Sequence, residues 1–223
     1  MKKAILSIIS LLAILSIEAK DFVHSTDVVK KVKETFNTME TMSADFTIKS
    51  KEKNNTKITK GKVYYKKNGL VNFTFSQPTG DKIISNGKKL WIFMASLNAV
   101  AVQDLDSQKA SLYETAGYNG LVNLFNRYHY SFDDTTQPKT RGKNNYYVFK
   151  LREKVSTGGF SEMLLYVDAE TFLISGLETI GDNKKIEISF ENVILDQNLP
   201  GSLFQYTVEG NTRVVENPLT SEN

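Results

Sequence analysis

The sequence predicts a mainly β, single-domain protein in which one antiparallel sheet is accompanied by two amphipathic helices. Three observations predict it. Apolar residues recur at every second position over 44–48, 61–65, 71–75 and 186–190, while Leu90–Phe93, Tyr146–Leu151 and Met163–Val167 are apolar on both faces. Turn dipeptides such as Asn68-Gly69 and Asn86-Gly87 separate these runs, and connections this short exclude parallel crossovers. No tract rich in Pro, Gly or Ser, no low-complexity stretch and no repeat divides the chain.

The first 19 residues have the composition of an export signal. Lys2 and Lys3 form a basic start, Ala4 to Ile17 is apolar except for serines, and Ala19 is the small residue expected at a cleavage position. The apolar run is shorter than the roughly 20 residues a membrane-spanning helix needs. The expected division is therefore a cleaved signal over 1–19 and one domain over 20–223. Ile17, where a small residue is usual, leaves the exact cut open.

After the signal, Val28, Val29, Val32, Phe36 and Met39 follow helical spacing, with Lys30, Lys31, Lys33 and Glu34 on the other side. A helix over about Thr26–Met39 follows, capped by Ser25 or Thr26, with Asp27 suited to the positive end of the dipole. The period then changes to two. Ala44, Phe46 and Ile48 alternate with polar residues, and Lys51–Lys57 reads as a polar turn. Gly61, Val63 and Tyr65 make the next strand. Asn68-Gly69 gives a two-residue hairpin into Val71, Phe73 and Phe75, whose other face carries Asn72 and Thr74. Gln77-Pro78-Thr79-Gly80 breaks that strand. Lys82–Ser85 and Lys88–Phe93 flank Asn86-Gly87 as a second hairpin, and a short strand is expected at Ala99–Val102.

Leu105–Gly117 is weakly patterned and reads as irregular or partly helical. Leu121, Leu124, Phe125 and Tyr128 recur at i, i+3, i+4 and i+7, a short helix with an apolar stripe. Strands resume near Tyr146–Leu151, Ser161–Val167, Phe172–Thr179 and Lys185–Asn192, with turns at Asp168-Ala169-Glu170 and Gly181-Asp182-Asn183. Ile186, Ile188 and Phe190 alternate with polar residues, so one face there meets water.

Composition narrows function. Without cysteine the chain has no lipid-modified cysteine, disulfide, thiolate metal site or cysteine nucleophile. A net charge of +3 is near balance and does not imply a nucleic-acid partner. Thirteen Phe and ten Tyr imply wide apolar surfaces packed on sheets. His24 and His129, the only histidines, lack motif-spaced partners, and there is no Gly-x-Ser-x-Gly or i, i+4 His pair. Asp133-Asp134 and Asp104/Asp106 read as turn or solvated carboxylates. The expectation is no enzyme, no metal and no cofactor. Two short helices can cap a bent sheet without filling it, which would leave a hydrophobic cavity; an ordinary packed core is the other reading, and the pattern alone favours it.

The stretch Tyr65-Lys66-Lys67-Asn68-Gly69-Leu70-Val71-Asn72-Phe73, followed by Gln77-Pro78 and then Ile83-Ile84-Ser85-Asn86-Gly87-Lys88-Lys89-Leu90-Trp91-Ile92-Phe93, resembles the outer-membrane lipoprotein carrier protein family (LolA). So does the ending Leu199-Pro200-Gly201-Ser202-Leu203-Phe204-Gln205-Tyr206, and an N-terminal helix before Ser43-Ala44-Asp45-Phe46 fits the family's opening. The resemblance implies an unclosed antiparallel β-barrel with helices as a lid over a hydrophobic cavity. It implies a monomeric periplasmic chaperone that takes acylated lipoproteins from an inner-membrane ABC transporter, shields their acyl chains and passes them to an outer-membrane acceptor. A periplasmic lipid-sensing adaptor module of the same fold is the alternative, and a scaffold without ligand a third. The family's lid-latching arginine corresponds to Lys67 and its following proline to Asn68; lysine keeps the charge but loses the planar fork of donors. A solvated strand-end lysine is the plainer reading of Lys67. Val71 matches a bulky apolar position near the cavity mouth. The expected acyl-chain contacts are Phe46, Ile48, Val63, Tyr65, Val71, Phe73, Phe75, Ile84 and Trp91 from the sheet, facing displaceable Leu121, Leu124 and Phe125.

Overall fold

The computed structural model describes residues 23–105, 118–155, 160–180 and 184–217. The expected signal, most of the weakly patterned middle segment, Asp106 and the turn at Gly181 lie outside these residues. Helix α1 spans Ser25–Thr38. Strands β1 (Thr41–Glu52), β2 (Asn55–Lys66), β3 (Leu70–Gln77), β4 (Thr79–Asn86), β5 (Lys89–Met94) and β6 (Ala99–Asp104) follow as an antiparallel meander. Then come helix α2 (Tyr118–Arg127) and strands β7 (Tyr128–Phe132), β8 (Lys139–Arg141), β9 (Asn144–Glu153), β10 (Glu162–Asp168), β11 (Ile174–Ile180), β12 (Lys184–Leu195) and β13 (Arg213–Glu216).

Among the described residues the strands form one sheet in the order β13-β6-β5-β4-β3-β2-β1-β12-β11-β10-β9-β7, with β8 paired to β9. The sheet does not close: β13 and β7 are its two ends, giving the open half-barrel. The long-range join is β1 against β12, in register from Met42↔Leu195 to Glu52↔Lys184 with a bulge between Ser43 and Asp45. Directly paired residues share a face. Ala44↔Val63↔Phe73 and Phe46↔Phe190 therefore look to one side, and Asn72↔Ile84↔Trp91↔Val102 to the other.

Both sides carry a core. On the concave side Val28, Val29 and Val32 of α1 and Val122 and Phe125 of α2 pack over Phe149, Leu151, Leu165, Val167 and Ile174. On the other side Ile84, Trp91 and Val100 cluster with Phe93, Val102 and Tyr206. The chain after β12 crosses this convex face. Asn72 Nδ2 donates to Leu203 O (2.6 Å), the Tyr206 ring lies 5.7 Å from Phe93, and Phe204 is fully buried. β13 then adds to β6 in parallel.

Several local expectations need correction. Neither Ser25 nor Thr26 caps α1: Ser25 is already helical, and His24 holds the cap position without a side-chain cap bond. Lys51–Lys57 is not one long turn. β1 and β2 continue through it and only Lys53 and Asn54 turn, because ladder hydrogen bonds form whatever the side chains, and where both faces meet water no alternation marks them. The connection after β2 has three residues, Lys67, Asn68 and Gly69, with positive φ at the last two (72° and 77°). Phe172 is not in a strand. It has φ 57° in a turn closed by Asp168, whose Oδ1 accepts hydrogen bonds from the Glu170 and Thr171 amides. Tyr128 leaves the helix and starts β7, a strand that, like β8 and β13, is too short to show its period.

On the convex side of β8, β10, β11 and β12, Arg141 bridges Glu178 (3.2 Å) and Glu187 (3.1 Å), Lys185 reaches Glu178 (3.0 Å), and the Tyr166 hydroxyl donates to Glu178 (2.9 Å). Burial and this hydrogen bond push the Tyr166 phenol up to about 12. Burial opposes ionisation of Glu178, yet the hydrogen bonds from Lys185 and Tyr166 prevail and hold its carboxyl below the usual range.

Two outcomes follow. Phe204→Ala is expected to destabilise the fold by about 3–5 kcal/mol, read as a lower urea midpoint followed through Trp91, which lies in the cluster beneath the tail. Tyr166 is neutral in the fold above its unfolded value of 10.0, so stability is lost as pH rises from there to about 12. Glu178 acts oppositely, its contribution disappearing as pH falls below the ordinary carboxyl value of 4.5. Urea midpoints against pH should show both flanks, with a smaller alkaline loss in Tyr166→Phe.

Candidate hydrophobic cavity

The alternation that builds the sheet delivers hydrocarbon to its concave side, and the helices do not fill all of it. A partly enclosed cavity of about 180 Å³ remains beside α2. β1 contributes Met42, Phe46 and Ile48 to its wall, β2 Val63 and Tyr65, β3 Val71 and Phe73, β12 Ile188 and Phe190, and α2 Leu121. The Phe46 ring organises this wall, meeting Phe73 (5.4 Å) and Phe75 (5.3 Å) edge-on. It lies against the backbone of Gly61, where a β-carbon would fall 2.8 Å from the ring and also collide with Thr74 O.

Among the described residues the wall carries no charged side chain. Its one hydroxyl belongs to Tyr65, which is buried; burial and then the nearby Glu40 carboxylate raise the phenol above its ordinary value, so it stays neutral. Such a lining attracts hydrocarbon. A cavity of about 150 Å³ lined by Leu, Ile and Phe holds a benzene, so this one takes on the order of six carbons, a stretch of one alkyl chain.

The sequence-predicted residues divide among three places. Phe46, Ile48, Val63, Tyr65, Val71, Phe73 and Leu121 meet around the cavity. Phe75 and Leu124 pack in the concave core, and Phe125 is buried there with its ring edge-on to Tyr130 and Phe149 (both 5.4 Å), so it anchors α2 over β7 and β9 and does not face Val71. Ile84 and Trp91 are on the convex side, because each pairs within the Asn72 row, one residue out of phase with Phe73. Met42, Ile188 and Phe190 escaped sequence reasoning. The alternation of Ile186, Ile188 and Phe190 was visible, but not that this strand pairs with β1.

Lys67 does not reach α2 among the described residues. Its ammonium pairs with Glu40 Oε1 at 2.7 Å and its amide donates to Glu40 O at 2.9 Å. The pair braces the corner between α1 and β1, behind Tyr65. The candidate catalytic groups are scattered: His129 is exposed on β7, Asp133 and Asp134 both hold Lys139 (3.1 and 2.8 Å), and Asp104 pairs with Lys89 (2.9 Å). Among the described residues no group of three His, Asp or Glu side chains could hold a metal ion, and no helix is long and apolar enough to cross a membrane.

Comparison with known proteins is consistent with this architecture. The profile of the family described as "Outer membrane lipoprotein carrier protein LolA" matches residues 37–207. An outer-membrane lipoprotein carrier protein of Francisella tularensis subsp. novicida is 23% identical over 198 residues, which cover 86% of this chain and 87% of that protein. Among solved structures, an uncharacterized conserved protein from Thermus thermophilus superposes with TM-score 0.58 at 12% identity, covering 86% of this chain and 98% of its own. MucB superposes with TM-score 0.51 at 9% identity, covering 85% and 64%.

Gly61→Ala is expected to force Phe46 off its seat and to destabilise the protein by about 1–3 kcal/mol. The check is a lower urea midpoint at unchanged slope, together with shifted Phe46 ring resonances.

Proposed function

The chain belongs to the family of the outer membrane lipoprotein carrier protein LolA, and from that premise we propose that it is a periplasmic chaperone for acylated lipoproteins, acting after removal of its signal over 1–19. In this reading it receives cargo from an inner-membrane ABC transporter, shields the acyl chains on the concave side of its sheet and releases them to an acceptor at the outer membrane. The observation that carries it is the uncharged, aromatic-walled cavity between the sheet and α2.

The energetics suit a shuttle. Each buried methylene contributes about 0.8 kcal/mol, so about six of them give ~5 kcal/mol, submillimolar binding that is easily reversed. More cargo needs more room, and Leu121 is the α2 side chain in the cavity wall. Phe125, Val122 and the bond from Lys33 Nζ to Asn126 Oδ1 (2.9 Å) hold the rest of the helix. Loading swings the Leu121 end outward while the Phe125 end stays seated. The cost of that opening offsets part of the burial energy and keeps release possible.

Displacement of a fluorescent fatty-acyl probe tests this. Leu121→Ala enlarges the cavity and should bind the probe several-fold more tightly; Leu121→Trp fills it and should bind at least tenfold more weakly with an unchanged thermal midpoint. Equal binding by both variants would remove the cavity from the reading. Trp91 is not the reporter, being on the convex side; Phe73→Trp in a Trp91→Phe background is. In cells, depletion should strand triacylated lipoproteins in the inner membrane. Normal sorting, with capture of a signalling protein in place of the transporter, would favour the lipid-sensing adaptor.

A further inference from the structure

The tip of the β1–β2 hairpin has no role in the cavity, yet it concentrates charge. Between Lys49 and Lys62 there are six lysines and one acidic residue, Glu52. Lys49 pairs with Glu187 (3.7 Å) and Lys62 with Asp45 (3.5 Å). Lys51, Lys53, Lys57 and Lys60 are exposed and have no ion pair among the described residues. The last residue of β3 pairs with Lys60, so β2 runs on from there to Asn55 without β3 beside it, a projection of about 16 Å.

Lysine on an open strand edge guards against unwanted pairing, and that accounts for Lys57. It does not account for Lys51, which is on β1 between β2 and β12, or for Lys53 in the turn. The cluster contains no arginine, only point charges on flexible stems around a blunt end, with Ile58 36% exposed among them. Bidentate recognition of a single carboxylate or phosphate would use a guanidinium fork. Dispersed ammoniums suit a diffuse anionic plane, whose attraction needs no stereochemistry.

We propose that the hairpin tip docks this protein on membrane surfaces rich in anionic phospholipid. The strands that wall the cavity at Ile48 and Ile188 continue into this tip, so docking holds the cavity at a fixed height over the bilayer. The inference does not depend on the carrier reading.

Sedimentation of the cargo-free protein with vesicles tests it, comparing phosphatidylcholine alone with phosphatidylcholine containing phosphatidylglycerol. Binding is expected only to the anionic vesicles, and should vanish at the ionic strength where the Debye length falls to about 3 Å. Replacing Lys51, Lys53 and Lys57 by Gln should weaken it about a hundredfold, at about fivefold per lysine. The charge-matched replacement of Lys30, Lys88 and Lys143 should weaken it far less. Equal weakening by the two triples, equal binding to neutral vesicles, or no vesicle binding alongside capture of an acidic protein would each overturn the proposal. Fatty-acyl probe binding by the hairpin triple is read in parallel: it stays intact if docking and cargo binding are separate, and its absence in the unsubstituted protein would count against the carrier reading alone.

Discussion

The pairing of β1 with β12 is the constraint on which the rest of the structure depends. It joins an early strand to a late one, Met42↔Leu195 to Glu52↔Lys184, and makes one sheet of what would otherwise be two meanders. Because the side-chain period along a strand is two, a slip of one residue would turn Phe190 and Ile188 to solvent and remove one wall of the cavity. The bulge between Ser43 and Asp45 absorbs a mismatch of the two strands. Asn192, with φ 52°, sits at that irregularity and donates to Asp45 Oδ2 at 2.8 Å.

The two sides of this sheet are finished differently. The convex side is sealed by the chain's own tail, with Phe204 fully buried and β13 added at the edge. The concave side is covered by helices that touch each other and the sheet through a limited stripe of side chains. Over β7 and β9 the aromatic packing of Phe125, Tyr130 and Phe149 is dense; over β1, β2, β3 and β12 it leaves open space. The convex half is thus closed by packed side chains, while the concave half it supports is incompletely filled.

Lys67 follows β2 at the corner beside α1, and its single-point cation finds a single carboxylate, Glu40, 2.7 Å away. Both side chains are about half exposed or more, so the pair contributes little to stability. It places α1 relative to β1 more than it restrains α2.

Local periodicity and turn chemistry set the class of fold, most of the strands, both helices and the apolar side of the strands that alternate cleanly, and all of this was legible in the sequence. It also marked seven of the cavity residues, from Phe46 to Leu121, since strands in a meander inherit their faces from tight turns. Tertiary structure alone decided what lies across from what. That Ile84 and Trp91 belong to the convex side, that Phe190 completes the wall with Phe46, and that Phe125 anchors while Leu121 borders open space all depend on strand register and helix placement. These arise from contacts between residues far apart in the chain, and a period of two or 3.6 records only which side a residue takes, never which partner it meets there.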